Sequence, residues 1–396
     1  MSQNIGIGLL GLGTVGSGVA EILQSPEGRN PLVSKLKLNR VAVRDLNKKR
    51  NPKIPSSILT ENALDVIEDP SVEVVVEVIG GIEPARSLIL KAIALGKSVV
   101  TANKALIARH GKEIAEAAIS SGVYVLIEAA VGGGIPIIEP IKQSLGGNKI
   151  KKVSGIINGT TNYILSHMTK NGSLFNDVLK EAKGLGYAEA DPTADVEGID
   201  AADKISILGE LAFGGSIDRD KIPTKGINKI KSRDIDYASR LGYVIKLLAI
   251  AENLDIPSFS TKSSIPVALW VEPTLIPKEH PLAGVNDVNN AIFIEGEPIG
   301  EVMFYGPGAG AGPTASAVVA DILNIAGIKT LNKSEKSLDP LLSYKNWRKC
   351  DLVDSSKIIQ KNYVRITTKD SPGVIGRIGD IFGANNVSIQ SIVQFD

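Results

Sequence analysis

Residues 5–16 read Ile5-Gly6-Ile7-Gly8-Leu9-Leu10-Gly11-Leu12-Gly13-Thr14-Val15-Gly16: an apolar run of strand character enters a Gly-x-Gly-x-x-Gly turn, and Val15–Gln24 continues with helical spacing. In such a turn the first glycine makes the bend, the second lets backbone approach a pyrophosphate, and the third allows close helix–strand packing. The helix N-terminus then attracts the anion. The motif alone is weak evidence, but preceded by a strand and opening a helix it points to a dinucleotide. Gly11, Gly13, Thr14, Val15 and Gly16 are the candidate cofactor-binding residues. A tight turn without a ligand is the alternative.

Working outward, Arg40–Val43, Val72–Val78, Ser98–Thr101 and Val123–Glu128 are further short apolar runs separated by helical patterns. Near-continuous Val/Ile strands alternating with helices indicate a parallel sheet covered on both faces, so residues 1–130 are expected to form a Rossmann-like, dinucleotide-binding α/β domain. The Arg40–Val43 strand ends at Arg44-Asp45. An acid there accepts the ribose 2′-OH of NAD, whereas an arginine favours the 2′-phosphate of NADP. Arg44, with Lys48 and Lys49 nearby, favours NADP, and Asp45 keeps NAD open. Gly80-Gly81 follows the third strand at the carboxyl edge of the sheet, where paired glycines let the backbone lie against a flat ring or simply turn. Lys104, just past the next strand, can hold a substrate carboxylate or a proton in transit, or be solvated.

From Val131 the pattern changes. Helical stretches 176–184, 199–213 and 235–251 mix with strand-like runs 152–157, 268–271 and 291–295, which places an α+β substrate and dimerisation domain over 131–305. The Gly306–Gly312 stretch and the helical pattern 314–326 return the chain to the first domain over 306–330. A polar linker is expected over 331–361, and a short strand–helix–strand segment (362–369, 373–383, 387–393) within 362–396.

A second polar cluster stands between Gly184 and Lys204. Glu189, Asp191, Asp195 and Glu197 precede Gly198 on a Gly- and Pro-containing loop, and Asp200 and Lys204 fall on one face of the following helix. An exposed pair at this spacing contributes only ~0.3–0.5 kcal/mol. The same helix carries an apolar stripe of Ile199, Ala202, Ile205 and Leu208, and so many acids beside a lysine suit capture of an amino group with acid/base work. Both readings stay open at this point.

Composition narrows the partners. The chain has 396 residues with 44 Lys plus Arg against 43 Asp plus Glu, a net charge of +1, which argues against a polyanion partner. A single cysteine, Cys350, excludes an intramolecular disulfide and disfavours thioester chemistry on an aldehyde. His110, His167 and His280 show no metal-ligand spacing. The N-terminus lacks a positive n-region, its apolar stretch is broken by glycines, and no other segment is expected to reach the ~18 apolar residues of a membrane span. A cytoplasmic protein without membrane or nucleic-acid partners is expected.

Taken together, Gly11–Gly16, Val41–Asp45, Gly80–Ala85, Asn103-Lys104-Ala105, Glu128–Pro136, Gly155-Ile156-Ile157-Asn158-Gly159-Thr160-Thr161-Asn162-Tyr163-Ile164-Leu165 and Gly186–Lys204 resemble the homoserine dehydrogenase family, in the same order over roughly residues 4–330. The resemblance implies NAD(P)H-dependent, reversible reduction of L-aspartate 4-semialdehyde to L-homoserine, a step toward threonine, methionine and isoleucine. It implies that Lys204 donates the proton, Asp200 binds and orients the substrate, Glu189 receives its amino group, and Lys104 sits near nicotinamide and substrate. It further implies a late nicotinamide contact at Gly306, a homodimer formed through the second domain's sheet, and a monovalent cation, usually sodium, at oxygens of Glu128, Val131, Gly133 and Ile135. A flexible hinge is the alternative for Gly132-Gly133-Gly134.

The C-terminal segment resembles the start of an ACT regulatory domain, a βαββαβ unit of which Asp396 marks the end of the first half. Either further residues follow in the natural gene product, or the half-unit pairs its edge with another chain; threonine feedback is open on both. Two competing functions are another NAD(P)-dependent reductase of a small amino-acid-like carbonyl or dihydro compound, and a cofactor-binding sensor without turnover.

Overall fold

The computed structural model describes residues 4–50, 54–254, 265–331, 364, 366–369 and 371–392. Its first part follows the expected alternation: β1 (Ile5–Leu10), α1 (Thr14–Gln24), β2 (Leu36–Ala42), β3 (Leu59–Thr60), α2 (Ala63–Glu68), β4 (Val74–Glu77), α3 (Ala85–Ala94), β5 (Ser98–Thr101), α4 (Lys104–Ser121) and β6 (Val125–Leu126). The strands form one parallel sheet in the order β3-β2-β1-β4-β5-β6. Neighbours β1 and β4 lie where the strand order reverses, and in open α/β sheets ligands bind outside the carboxyl ends of the strands at this point.

The second part comprises α5 (Ile138–Lys142), β7 (Lys149–Ile156), α6 (Gly159–Asn171), α7 (Phe175–Gly184), α8 (Thr193–Val196), α9 (Ile199–Phe213), α10 (Ser232–Arg240), β8 (Tyr243–Asn253), β9 (Val267–Pro277), β10 (Asn289–Glu297), β11 (Gly300–Pro307) and α11 (Ala311–Lys329). Here the sheet is antiparallel, in the order β11-β10-β7-β8-β9. One face, with Val153, Leu247, Ala249, Ala251 and Ile292, joins the core formed with α6 and α9.

The structure corrects the helix expected over 235–251. Residues 232–240 are helical, but Gly242 (φ 86°) ends that stretch and residues 243–253 form β8. Paired on both sides, β8 is apolar over 244–251 apart from the buried Lys246 and shows no period-2 alternation, a pattern that periodicity does not separate from a buried helix. The acidic loop likewise contains a short helix, α8.

α11 packs against α1, and its Ala315, Val318, Ile322 and Ile325 enter a core with Ile7, Leu9 and Val19 of β1 and α1. The backbones come close: a Cβ on Gly18 would stand 2.8 Å from the Ala311 carbonyl oxygen. α11 is the one element among the described residues long and apolar enough to cross a membrane, contrary to the expectation that no such segment exists, yet half of it is buried inside the protein.

Nearly all of the expected linker over 331–361, Cys350 included, lies outside the described residues. In the C-terminal unit α12 (Val374–Ala384) forms as expected, but the strands expected over 362–369 and 387–393 are absent among the described residues there. A strand exists only as part of a hydrogen-bonded ladder, and these residues have no partner ladder among the described strands.

Candidate active site

The glycine turn sits at the switch point and is built from backbone. Gly11 has φ 101°, and its N–H donates to the Ala42 carbonyl, tying the turn to β2. A Cβ on Gly16 would stand 2.2 Å from the Gly11 carbonyl oxygen, so helix and turn are packed to the limit of a glycine. Among the described residues nothing lies within 4 Å of a Cβ on Gly13, and no side chain caps the first turn of α1. The N–H groups at Thr14 and Val15 are thus directed outward at the positive end of the helix dipole, the arrangement a pyrophosphate requires. Arg44 is exposed just beyond β2.

Across the switch point, buried Glu77 at the end of β4 shapes the second glycine turn. Its carboxylate accepts from the N–H of Ile79 (2.8 Å) and Gly80 (3.0 Å) and from Thr101 Oγ1 (2.6 Å). Asn103 caps α4 through Leu106 N–H and donates to the Gly81 carbonyl (2.6 Å). This network sets Gly80-Gly81 beside the start of α4, whose first residue is Lys104. Sequence reasoning missed Glu77 and Asn103; the one available signal was an acid closing a run of valines.

Lys104 then meets α9. Its Nζ lies 2.6 Å from Asp200 Oδ1, while Lys204 Nζ lies 2.7 Å from Asp200 Oδ2. Lys204 Nζ also donates to the Ile157 carbonyl (2.6 Å). Asn158 Nδ2 bridges Asp200 Oδ2 (2.9 Å) and Asp195 Oδ1 (2.7 Å), and its Oδ1 caps α6 through Thr161 N–H (2.9 Å). The stretch Gly155–Thr161 therefore ends β7, opens α6 and supplies two polar contacts to the cluster. Asn158, unassigned in the sequence reading, was visible only inside the family-like motif.

Asp200 and Lys204 are 6% and 8% exposed, too buried for the solvated-pair reading. Burial opposes the charge of Asp200, but Lys204, Lys104 and the Asn158 amide outweigh it and hold the carboxyl well below the usual carboxylate range. Burial lowers the pKa of Lys204, and repulsion from Lys104 adds to this against the pull of Asp200. For Lys104 burial is overcome by Asp200, with Asp195 and Asp203 adding, so its pKa lies above the ordinary lysine value. An ammonium has three donors. Two of those on Lys204 are placed on protein oxygens, which leaves one for a ligand.

Glu189 stands apart, exposed on the loop before α8, with no hydrogen bond or ion pair to this cluster among the described residues. Glu128 is buried, and its carboxylate accepts the N–H groups of Ile137, Ile138 and Glu139 at the start of α5. Gly133 packs on the Gly306–Gly310 loop: its Cβ would stand 2.4 Å from the Gly308 carbonyl oxygen, and Gly134 N–H donates to Pro307 (3.1 Å). Gly306 borders Ile135. Asp321 of α11 accepts Glu128 N–H (2.8 Å), while its other oxygen is buried and has no partner among the described residues. Burial, then the Glu128 carboxylate, push Asp321 well above the usual range.

Residues 136–323 match the family model described as homoserine dehydrogenase, and residues 11–128 match that of the homoserine dehydrogenase NAD-binding domain. A homoserine dehydrogenase of Synechocystis sp. is 55% identical over 392 residues, covering 99% of this chain and 89% of that protein. The chain belongs to the homoserine dehydrogenase family. Within it, the Bacillus subtilis homoserine dehydrogenase is 41% identical over 98% of this chain and 87% of its own length. The crystal structure of a homoserine dehydrogenase from Thiobacillus denitrificans aligns with TM-score 0.76 at 40% identity, covering 99% of this chain and 89% of that one. A hyperthermophilic archaeal homoserine dehydrogenase in complex with NADPH aligns with TM-score 0.67 at 27% identity, covering 83% of this chain and 98% of that one.

Proposed function

We propose that this chain catalyses the reversible, NAD(P)H-dependent reduction of L-aspartate 4-semialdehyde to L-homoserine, with Lys204 as proton donor. One observation carries the proposal: a buried ammonium, held by Asp200 and the Ile157 carbonyl, keeps one donor open beside the carboxyl edge of the nucleotide-binding sheet. When bound, the nicotinamide supplies the hydride. Lys204 Nζ stabilises the developing charge on the carbonyl oxygen and gives it a proton, a contribution of typically 10²–10⁴-fold. Asp200 keeps that ammonium oriented, and Lys104 stands across it from the nucleotide side. Glu189, exposed on its loop, is assigned to the substrate's amino group on the family resemblance.

Gly11, Gly13, Thr14, Val15 and Gly16 would hold the pyrophosphate, Gly80, Gly81, Lys104 and Gly306 the nicotinamide end, and Arg44 the 2′-phosphate of NADP. Main-chain oxygens of Glu128, Val131, Gly133 and Ile135 would hold a monovalent cation, probed as sodium. The unpartnered Asp321 oxygen next to Glu128 supports a positive charge in this region, since hard cations favour oxygen donors. A cytoplasmic homodimer, with residues 1–130 and 131–305 as its two main domains, completes the reading.

The test is reduction of NADP⁺ with L-homoserine, run against other hydroxy and amino acids. Selective turnover of L-homoserine is expected. Equal or better turnover of another substrate would favour a different reductase, and absence of turnover with intact NADPH binding would favour a sensor.

A further inference from the structure

Helices α4 and α9 meet at two ion pairs. Lys104 reaches Asp200, and Arg109 Nη1 lies 3.3 Å from Asp203 Oδ2. Asp203 is only 4% exposed, and its other oxygen accepts from Arg219 Nε, while Arg219 Nη2 donates to the Ile199 carbonyl (3.0 Å). Arg219 thus pins the carboxylate within the half built on the antiparallel sheet, and Arg109 grips it from the half built on the parallel sheet. The ties are spaced along both helices by about 7.5 Å on α4 and about 4.5 Å on α9, at 1.5 Å per residue. Helices tied at one point pivot about it. Two ties remove that freedom.

We propose that Arg109, Asp203 and Arg219 form an interdomain latch, in which Arg109 is a positioning residue that fixes where Lys104 stands against Asp200. The inference rests on reading the α9 pair as the substrate site. The glycine turn, the paired glycines and Lys104 that would hold the cofactor all belong to the half that carries Arg109. Loosening the latch therefore disturbs the register between cofactor and substrate while leaving in place the glycine turn that would hold the pyrophosphate. Displacements of about 1 Å at a reacting centre can cost on the order of 10²-fold in rate.

The test uses the full chain with Arg109→Leu, Arg109→Lys and Arg219→Leu. For Arg109→Leu, kcat/KM for L-homoserine is expected to fall by roughly 10- to 100-fold, chiefly in kcat. The NADPH dissociation constant stays at its wild-type value, and hydrogen exchange accelerates at the first turn of α4. Arg109→Lys recovers most of the loss, and Arg219→Leu reproduces the kinetic defect because Asp203 is no longer held from its own side. Unchanged kcat/KM in Arg109→Leu overturns the latch, as does an equal loss of NADPH affinity, which would mean that α4 itself is damaged. If the wild-type protein fails to oxidise L-homoserine, the proposed activity falls. The exchange measurement then decides the latch alone: wild-type exchange at residues 104–106 in Arg109→Leu removes it.

Discussion

The glycine turn after β1 and the charged cluster on α9 are the two halves of the proposed site, and they are built by opposite means. The first is made of main-chain atoms: a left-handed Gly11, a Gly16 with no room for a methyl, and uncapped N–H groups at the start of α1. The second is made of side chains that α4, β7 and α9 bring together: Lys104, Asn158, Asp200 and Lys204. A backbone site depends on local geometry and tolerates many sequences around it. A side-chain site depends on burial, which strengthens each electrostatic contact and makes each missing partner costly.

Removing the cluster's ammonium is the strongest way to break this contrast. Lys204→Ala is expected to lower turnover at least about 10²-fold in steady-state assays, while NADPH binding by fluorescence titration is unchanged. Near-normal turnover would take Lys204 out of the mechanism, and lost NADPH binding would show that the two halves are not separable.

The pH dependence sharpens the same point. Burial lowers the Lys204 pKa, so the group becomes neutral below the ordinary lysine value of about 10.4. With Lys204 in the proposed role, oxidation of L-homoserine needs the neutral amine as proton acceptor, and its kcat is expected to rise with pH up to that pKa, by up to tenfold per unit. Reduction of the semialdehyde needs the ammonium, and its kcat falls through the same pKa. A limb at or above the ordinary value in both directions would contradict the burial argument.

On the other half, Gly13→Ala separates binding from folding. Its φ of −84° suits any residue and its Cβ meets nothing within 4 Å, so thermal stability is unchanged. The methyl occupies the approach to the helix N-terminus, and NADPH affinity drops about tenfold, or 1.4 kcal/mol. In Gly16→Ala the methyl collides with the Gly11 carbonyl, so both melting temperature and affinity fall. A stable Gly13→Ala with wild-type affinity would mean that the backbone there does not face the cofactor.

The smallest effect is expected at Arg44, which is exposed. Arg44→Ala raises KM for NADPH by up to about fivefold, as an exposed ion pair of 0.2–1 kcal/mol allows, and leaves KM for NADH unchanged. Equal changes for both would leave Arg44 as a solvated turn residue.

Legibility in the sequence divides along the same line. The strand, turn and helix at 5–24 were readable because glycines and apolar spacing act over a few neighbouring residues. The Asp200/Lys204 pair was readable as a helix face. Lys104 was readable as a residue at the sheet's carboxyl edge, but its meeting with Asp200, and the parts of Asn158 and Ile157, were not, since these residues are distant in sequence and meet only through the packing of α4 and β7 against α9. The mistaken helix over 235–251 has a related cause: β8 is buried between two strands, and its apolar run carries no sign of which sheet neighbours will claim its backbone.

Composition, periodicity and the glycine spacing were enough to specify a parallel α/β sheet with a dinucleotide turn at its first strand, because those features act through local backbone sterics. Which charges are buried, which remain paired and which keep a donor free was decided by tertiary structure alone. The same Asp200/Lys204 spacing is a solvated surface pair in water and a buried, desolvated one where distant elements pack over it, since solvent exclusion follows from tertiary contacts.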